Sequence, residues 1–263
     1  MKKEIEVALE SLRYRHFNAI FAENSEYAKS IILNMIPNNA VVGIGDSTTV
    51  RQIGIKEELR KRGTKLLDGY VKNRVYISKR DWEEYYINVI KEASMCDLFL
   101  TGSNAITQDG KIVNVDGVGN RVAGMFYGHP MSILVVGRNK IVEDLDEAFY
   151  RIRNIIAPNH IRIRTVELNG RRFETPCVVT GKCHDCRSRD RACNIFTIIE
   201  GKPLRTDINV IIINEDLGLG WNESWPKERI NKIIENYKKF VWIPPADLIK
   251  WDQEIADARC HNE

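Results

Sequence analysis

The sequence predicts an α/β fold, a largely parallel sheet with helices on both faces, and three observations carry that prediction. Short continuous runs of Val, Ile and Leu recur at 40–45 (AVVGIG), 96–102 (CDLFLTG), 131–137 (MSILVVG) and 208–214 (INVIIIN). Runs without polar alternation suit strands buried on both faces, the situation of parallel strands covered by helices. Glycine closes several of them, as at Gly45, Gly102 and Gly137, and the segments between carry apolar residues at helical spacing.

In chain order, Ile5, Ala8, Leu9 and Leu12 mark an opening helix. A second begins at Asn24 or Ser25, carries Ala28, Ile31, Ile32 and Met35, and ends at Pro37. The strand at 40–45 leads into a crossover helix over 48–62, then a strand at 64–69, a helix over 78–95 and the strand at 96–102. The QDGK turn at 108–111 reads as a tight hairpin, because Asp109-Gly110 supplies the positive φ such turns need, and KIVNV (111–115) continues as a strand. Helices over 118–127 and 143–156 flank the 131–137 strand, the second stopped by Pro158. Further strands are read at 177–181 (CVVTG), 194–199 (NIFTII) and 208–214, before a helix from about 226 to 240 and an amphipathic end with Leu248, Ile249, Trp251 and Ile255. The chain divides into an N-terminal helical segment (1–38), an α/β domain (39–220) and a C-terminal helical segment packed on it (221–263). Trp221, Trp225, Trp242 and Trp251 read as core packing or a homodimer contact.

Lys and Arg number 39 against 36 Asp and Glu, a formal charge of +3, too small an excess to make nucleic acid an expected partner. No apolar stretch approaches the roughly 20 residues a membrane span requires. The start, MKKEIEVALESLRYRHF, has no uninterrupted apolar core of a signal peptide. The expected location is the cytoplasm, where clustered cysteines bind metal more often than they pair.

Four of six cysteines, Cys177, Cys183, Cys186 and Cys193, fall within TPCVVTGKCHDCRSRDRACNIF, a loop with little apolar content to hold sulfurs together. Cys96, within MCDLFL, is by contrast an ordinary buried cysteine. Crowded thiolates repel unless a cation or disulfide joins them, so the loop is a candidate for zinc or an iron–sulfur cluster, with a disulfide or free thiols as alternatives. Cys183, Cys186 and Cys193 are the natural ligands with Cys177 as fourth, and His184 or solvent substitutes if Cys177 stays in its strand. Zinc ribbons use two C-x2-C knuckles and this loop has one, which tilts the expectation to iron–sulfur. Arg187, Arg189 and Arg191 would stabilise an anionic cluster or lower the pKa of free thiols. Cys260 reads as an incidental thiol near the end of the sequence.

Two other segments carry polar chemistry. The first strand runs into Gly43-x-Gly45-Asp46-Ser47-Thr48, where small residues and hydroxyls suit a carboxylate or phosphate; a plain strand-to-helix turn capped by Asp46 or Ser47 is the alternative. It lacks the third glycine of a dinucleotide fingerprint and the Gly-Lys-Ser/Thr of a P-loop. The stretch 101–130 gathers Thr101, Gly102, Asn104, Asn114, Asp116, Asn120 and Arg121 at the end of a strand, a hairpin and a helix start. Polar groups at the carboxyl ends of parallel strands are where open sheets bind ligands. Asp116 is a candidate general base and Arg121 a candidate carboxylate clamp, with Asn120 beside them.

SNAITQDGKIVNVDGVGNRVAGMFYG, ILVVGRNKIVEDLDEAFYRIRNIIAPNH and TPC…GKCHDCRSRDRACNIFTIIE together resemble the LUD-domain family, the lactate-utilization proteins, and most closely its stand-alone branch. The resemblance covers roughly residues 3 to 220. It implies a Rossmann-like sheet in the fold group of the sugar-phosphate isomerases and CoA transferases. In that group GIGDSTTV is similar to the phosphate-binding turn of ribose-5-phosphate isomerases, and NAITQDGKIVNVDGVGNRVA to a methylthioribose-phosphate isomerase stretch whose catalytic Asp would fall at or near Asp116. The long ferredoxin-like extension of the larger lactate-utilization subunit has no counterpart in this sequence.

Three functions follow as expectations. One is a redox-linked protein binding a small anionic metabolite, such as a 2-hydroxy acid, with a cysteine-held metal or iron–sulfur centre and a redox partner subunit. The second is an isomerase or transferase of a sugar phosphate or CoA ester with Asp116 as acid/base and a structural metal. The third is a non-catalytic partner of a lactate-oxidising complex.

Overall fold

The computed structural model describes residues 2–71, 78–168 and 173–244; the expected amphipathic end at 248–255 and Cys260 lie outside the described residues. Its strands are Asn18–Ala22 (β1), Val41–Ile44 (β2), Lys65–Leu67 (β3), Leu98–Gly102 (β4), Ala105–Thr107 (β5), Ile112–Asp116 (β6), Met131–Gly137 (β7), Ile141–Val142 (β8), Ile195–Ile199 (β9) and Asp207–Ile213 (β10). Helices are Lys3–Tyr14 (α1), Ser25–Met35 (α2), Thr48–Gln52 (α3), Ile55–Lys61 (α4), Lys79–Ala93 (α5), Asn120–Phe126 (α6), Leu145–Arg151 (α7), Ala157–Arg162 (α8), Pro176–Thr180 (α9) and Lys227–Phe240 (α10).

Six strands form one all-parallel sheet in the order β1-β10-β7-β4-β2-β3, the α/β architecture the apolar runs predict. A smaller sheet, β8-β5-β6-β9, stands apart from it. The KIVNV and NIFTII runs both belong to this second sheet, as antiparallel β6 and β9 with Val113 opposite Ile198.

Alternate residues of the central strands face opposite helical layers. Leu134, Val136, Val210 and Ile212 pack with Ile5, Leu9 and Leu12 of α1 and with Val122 and Met125 of α6. Ile133, Val135, Ile211 and Ile213 pack on the other face with Ala28 and Ile32 of α2 and with Val50, Ile55 and Leu59 of α3 and α4. Each such side chain, fully buried, contributes about 1.5–3 kcal/mol, which is what fixes both helical layers. A third cluster joins Val113, Val115 and Val142 of the small sheet to Ala148 and Ile152 on one side and Ile233 and Tyr237 of α10 on the other, so the small sheet and α10 share a core.

Three expected elements take a different form. The strand expected at 177–181 is helix α9: Pro176 sits in its first turn, where a missing N–H costs nothing, and Gly181 follows at φ 70. These start and stop signals outweigh the β-branched pair Val178-Val179. The helix expected over 48–62 divides at Gly54, φ 70, into α3 and α4. The helix expected to end before Pro158 runs on instead, from α7 through a π-helical stretch, Ile152–Ile156, into α8 and a second π-helical stretch, Ile163–Glu167. The wider turn ahead of Pro158 accommodates its missing N–H. That extension carries His160 and Arg164 to the pocket.

Candidate functional site

A cavity of about 440 Å³ opens at the carboxyl ends of β2, β4 and β6. From β2 the chain passes to β3 on one side, whereas from β4 it passes to β7 on the other, so the cavity sits where the strand order reverses. Asp46, Ser47, Thr48, Gly102, Asn104, Asp116, Asn120 and Arg121 all line it, which unites the two polar segments of the sequence in one site. Gly43 and Gly45 serve packing beneath the site. A Cβ on Gly43 would lie 2.5 Å from the Ala93 carbonyl oxygen, and one on Gly45 would lie 2.6 Å from Thr101 Oγ1. Thr101 itself is fully buried.

Local hydrogen bonding assigns roles to these groups. Ser47 caps α3, its Oγ accepting from Val50 N at 3.3 Å. Asp116 accepts from Val118 N and Gly119 N at 3.0 Å with Oδ1 and from Val122 N at 3.2 Å with Oδ2. This carboxylate therefore anchors the turn into α6. Arg121 donates to Gly102 O, Asn114 Oδ1, Asn104 Oδ1 and Val115 O at 2.6–3.2 Å, tying the ends of β4 and β6 together. Its guanidinium positions the site more than it offers a free clamp. Asn120 Nδ2 donates to Tyr70 Oη at 2.9 Å.

Charge in the cavity is unbalanced. Lys140, Arg121, Arg164, Arg189 and Arg191 face it against Asp46, Asp116 and Asp190. Each acid is already engaged: Asp46 with Arg51 at 2.8 Å, Asp116 with three backbone N–H groups, and Asp190 with Glu174 N at 2.7 Å. Burial alone would raise the Asp46 pKa, but Arg51 and then Arg164 outweigh it and hold the carboxyl below its ordinary range.

Lys140, in the turn that follows β7, is 7% exposed, and its Nζ donates to Ser103 O at 2.8 Å and Thr49 Oγ1 at 3.2 Å. Burial, with Arg121 adding repulsion, pushes its pKa down to about 7. Gly218, at φ 68, closes over it; a Cβ there would lie 2.7 Å from Nζ.

On the opposite wall His160 Nδ1 lies 2.5 Å from Tyr237 Oη, and Nε2 lies 3.3 Å from Arg164 Nη1. A guanidinium only donates, so Nε2 accepts and the ring hydrogen sits on Nδ1, directed to Tyr237. Burial, then Arg164, pushes the His160 pKa down to about 3, and burial pushes Tyr237 up to about 12. Both are therefore neutral hydrogen-bonding groups near pH 7.

An aromatic wall completes the cavity. Trp82 stacks on Tyr86, with ring centres 5.0 Å apart, and Tyr86 lies nearly parallel to Trp242 at 6.4 Å. Trp242, expected as core or dimer contact, thus lines the site, while Trp221 is buried in the core shared with α10.

The cysteine-bearing loop forms part of the same wall through Arg189, Asp190, Arg191, Ala192 and Asn194. Arg191 donates to the carbonyls of both Cys186 and Cys193, so it ties two parts of the loop to each other. Cys177 lies on α9, its thiol raised by burial first and then by the nearby Cys186 and Cys193. The Cys183 sulfur accepts from Asp185 N at 3.4 Å. All four thiols are free, and among the described residues no three His, Cys, Asp or Glu side chains are gathered closely enough to hold a metal ion. The donor chemistry suits zinc or an iron–sulfur cluster; the arrangement of the sulfurs does not yet match ligation. Cys96 is buried with its thiol directed at Ala93 O and Leu98 O, as expected of a structural cysteine.

Lys140, His160, Arg164 and Tyr237 are the site residues that sequence reasoning missed. Lys140 had a signal, a lone lysine between the apolar runs ILVV and IV in ILVVGRNKIV. The others reach the pocket only through the continuation past Pro158 and the docking of α10.

No helix among the described residues is long and apolar enough to cross a membrane. No curated protein matches the chain in sequence. A DUF162 family protein from Deinococcus radiodurans, known from its crystal structure, is similar at 16% identity and a TM-score of 0.43, over 81% of this chain and 99% of that one. The sequence pattern of the LUD domain matches residues 5–213, most of the chain and both polar segments of the pocket, and the protein belongs to the LUD-domain family.

Proposed function

We propose that the protein binds a small anionic metabolite, a 2-hydroxy acid or close relative, in the cavity at the strand ends, and that the cysteine loop links this site to redox chemistry. The supporting observation is the excess of basic groups, with every facing carboxylate already engaged and Lys140 paired only to neutral oxygens. Such a site attracts a carboxylate, and each charge-assisted hydrogen bond it forms is worth about 1.5–3 kcal/mol. The family supports lactate-related metabolism at the coarser level. Calorimetric titration with lactate and with its neutral amide tests the reading. The carboxylate is expected to bind, more weakly as salt rises, and the amide at least about tenfold less well. Equal binding of the two would refute it.

The proposal includes a centre held by Cys177, Cys183, Cys186 and Cys193, supported by their spacing and by the mutual proximity of Cys177, Cys186 and Cys193. Zinc or iron there would require the loop to draw the sulfurs closer than they now stand. Metal analysis of anaerobically purified protein is expected to return stoichiometric iron or zinc, and Cys186→Ser to lose it. Protein free of both metals would remove the centre from the account and leave the anion site standing.

A further inference from the structure

We propose that Lys140 is a reactive amine that takes a 2-oxo acid as a covalent imine. The inference rests on the anion-binding reading of the cavity and names a substrate class for it. Its basis is the way Nζ is held. The side chain emerges from the turn after β7 into the pocket wall and is almost fully buried. Its two hydrogen bonds, to Ser103 O and Thr49 Oγ1, match the two hydrogens of a neutral amine and leave the lone pair unused. The atoms it bonds include no carboxylate, so no counter-ion in direct contact holds it as the ammonium. Gly218 packs close to Nζ, where an added Cβ would lie 2.7 Å from it, so the glycine backbone limits the directions the amine can turn. A desolvated lysine beside a second cation is an established way of making an amine nucleophilic near neutral pH, and Arg121 is that cation here.

The chemistry balances without an outside oxidant or reductant. The Nζ lone pair forms a bond to the carbonyl carbon of the oxo acid, and the carbonyl oxygen takes up a proton to give a carbinolamine. Loss of that oxygen as water, with one amine proton and one proton from solvent accounted for in the water formed, leaves a protonated imine. The substrate carboxylate is held by the basic wall, where Arg164 and Arg191 face the cavity. A 2-hydroxy acid has no carbonyl and binds at the same place without this bond.

Trapping tests the proposal. The full chain is incubated with pyruvate or 2-oxoglutarate and cyanoborohydride at slightly alkaline pH, then examined by intact mass and peptide mapping. The expected result is one adduct per chain, at Lys140, formed at least about tenfold faster than at any other lysine, competed by lactate, and absent from Lys140→Arg. Calorimetry with the same oxo acids, without reductant, is run in parallel on both proteins. Binding without an adduct at Lys140 would overturn the imine and leave the anion site intact. No binding and no adduct would overturn both. Adducts spread evenly over surface lysines would also count against the proposal.

Discussion

Replacing Lys140 by Met is expected to stabilise the protein at neutral pH while abolishing its pocket chemistry. The folded state holds the ammonium pKa at about 7 against an ordinary 10.5. Between those two values the unfolded chain binds more protons than the folded one, so stability rises with pH across that window. Below about pH 7 both states carry the charge, and the penalty for burying it is complete. At about 1.4 kcal/mol per pH unit that penalty approaches 4–5 kcal/mol. Removing Lys140 also removes its bonds to Ser103 O and Thr49 Oγ1, which offsets about 1–2 kcal/mol. The variant should therefore gain roughly 2–3 kcal/mol near pH 7, with the gain shrinking as pH rises toward 10.5. Urea unfolding of both proteins at several pH values measures it. A variant that loses stability equally at every pH would show that Lys140 is an ordinary structural lysine. A buried charge kept at such a cost is what a functional site looks like, since activity and stability there pull in opposite directions.

Arg121→Leu is expected to have the opposite effect on stability. The guanidinium, 12% exposed, joins Gly102 O at the end of β4 to Asn114 Oδ1 and Val115 O of β6 and to Asn104 Oδ1 between them. Leu leaves these acceptors short of a donor and Asp116 without its cationic neighbour 3.7 Å away. Breaking a buried polar network from one side typically costs about 3–5 kcal/mol. For a chain of this size that corresponds to a fall of roughly 10 °C in Tm. Arg121→Lys should recover little of it, because an ammonium cannot reproduce a planar fork that bonds four acceptors. Thermal unfolding checks both variants. A Lys variant as stable as the wild type would mean that charge alone, and not the geometry of the fork, holds the strand ends.

Much of this architecture is legible from the chain itself, for identifiable reasons. The continuous apolar runs of β2, β4, β7 and β10 can only be satisfied between two helical layers, so the parallel sheet follows from burial alone. β1, NAIFA, escapes because it is short, mixed and at the sheet edge. CVVTG misleads because two valines look like a strand, while Pro176 before them and Gly181 after them fix a helix. Asp46, Ser47, Asn104, Asp116 and Arg121 are visible as polar residues at strand ends, and the sheet brings them into one cavity. Their individual roles are set by hydrogen bonds that no spacing reveals; the aspartate expected as a base caps three N–H groups, and the arginine expected as a clamp ties strands together. His160, Arg164 and Tyr237 depend on contacts between α8 and α10 far apart in sequence, which local patterns do not encode.

Lactate binding measured at fixed pH in buffers of different ionisation enthalpy tests the anion site around Lys140 most directly, because it counts protons taken up with the ligand. An anion settling beside an amine of pKa about 7 raises that pKa, so binding near pH 8 should draw in close to one proton per chain, and binding near pH 6 none. Lys140→Met should remove the uptake. Binding at pH 8 without proton uptake, or uptake that persists in Lys140→Met, would contradict the account.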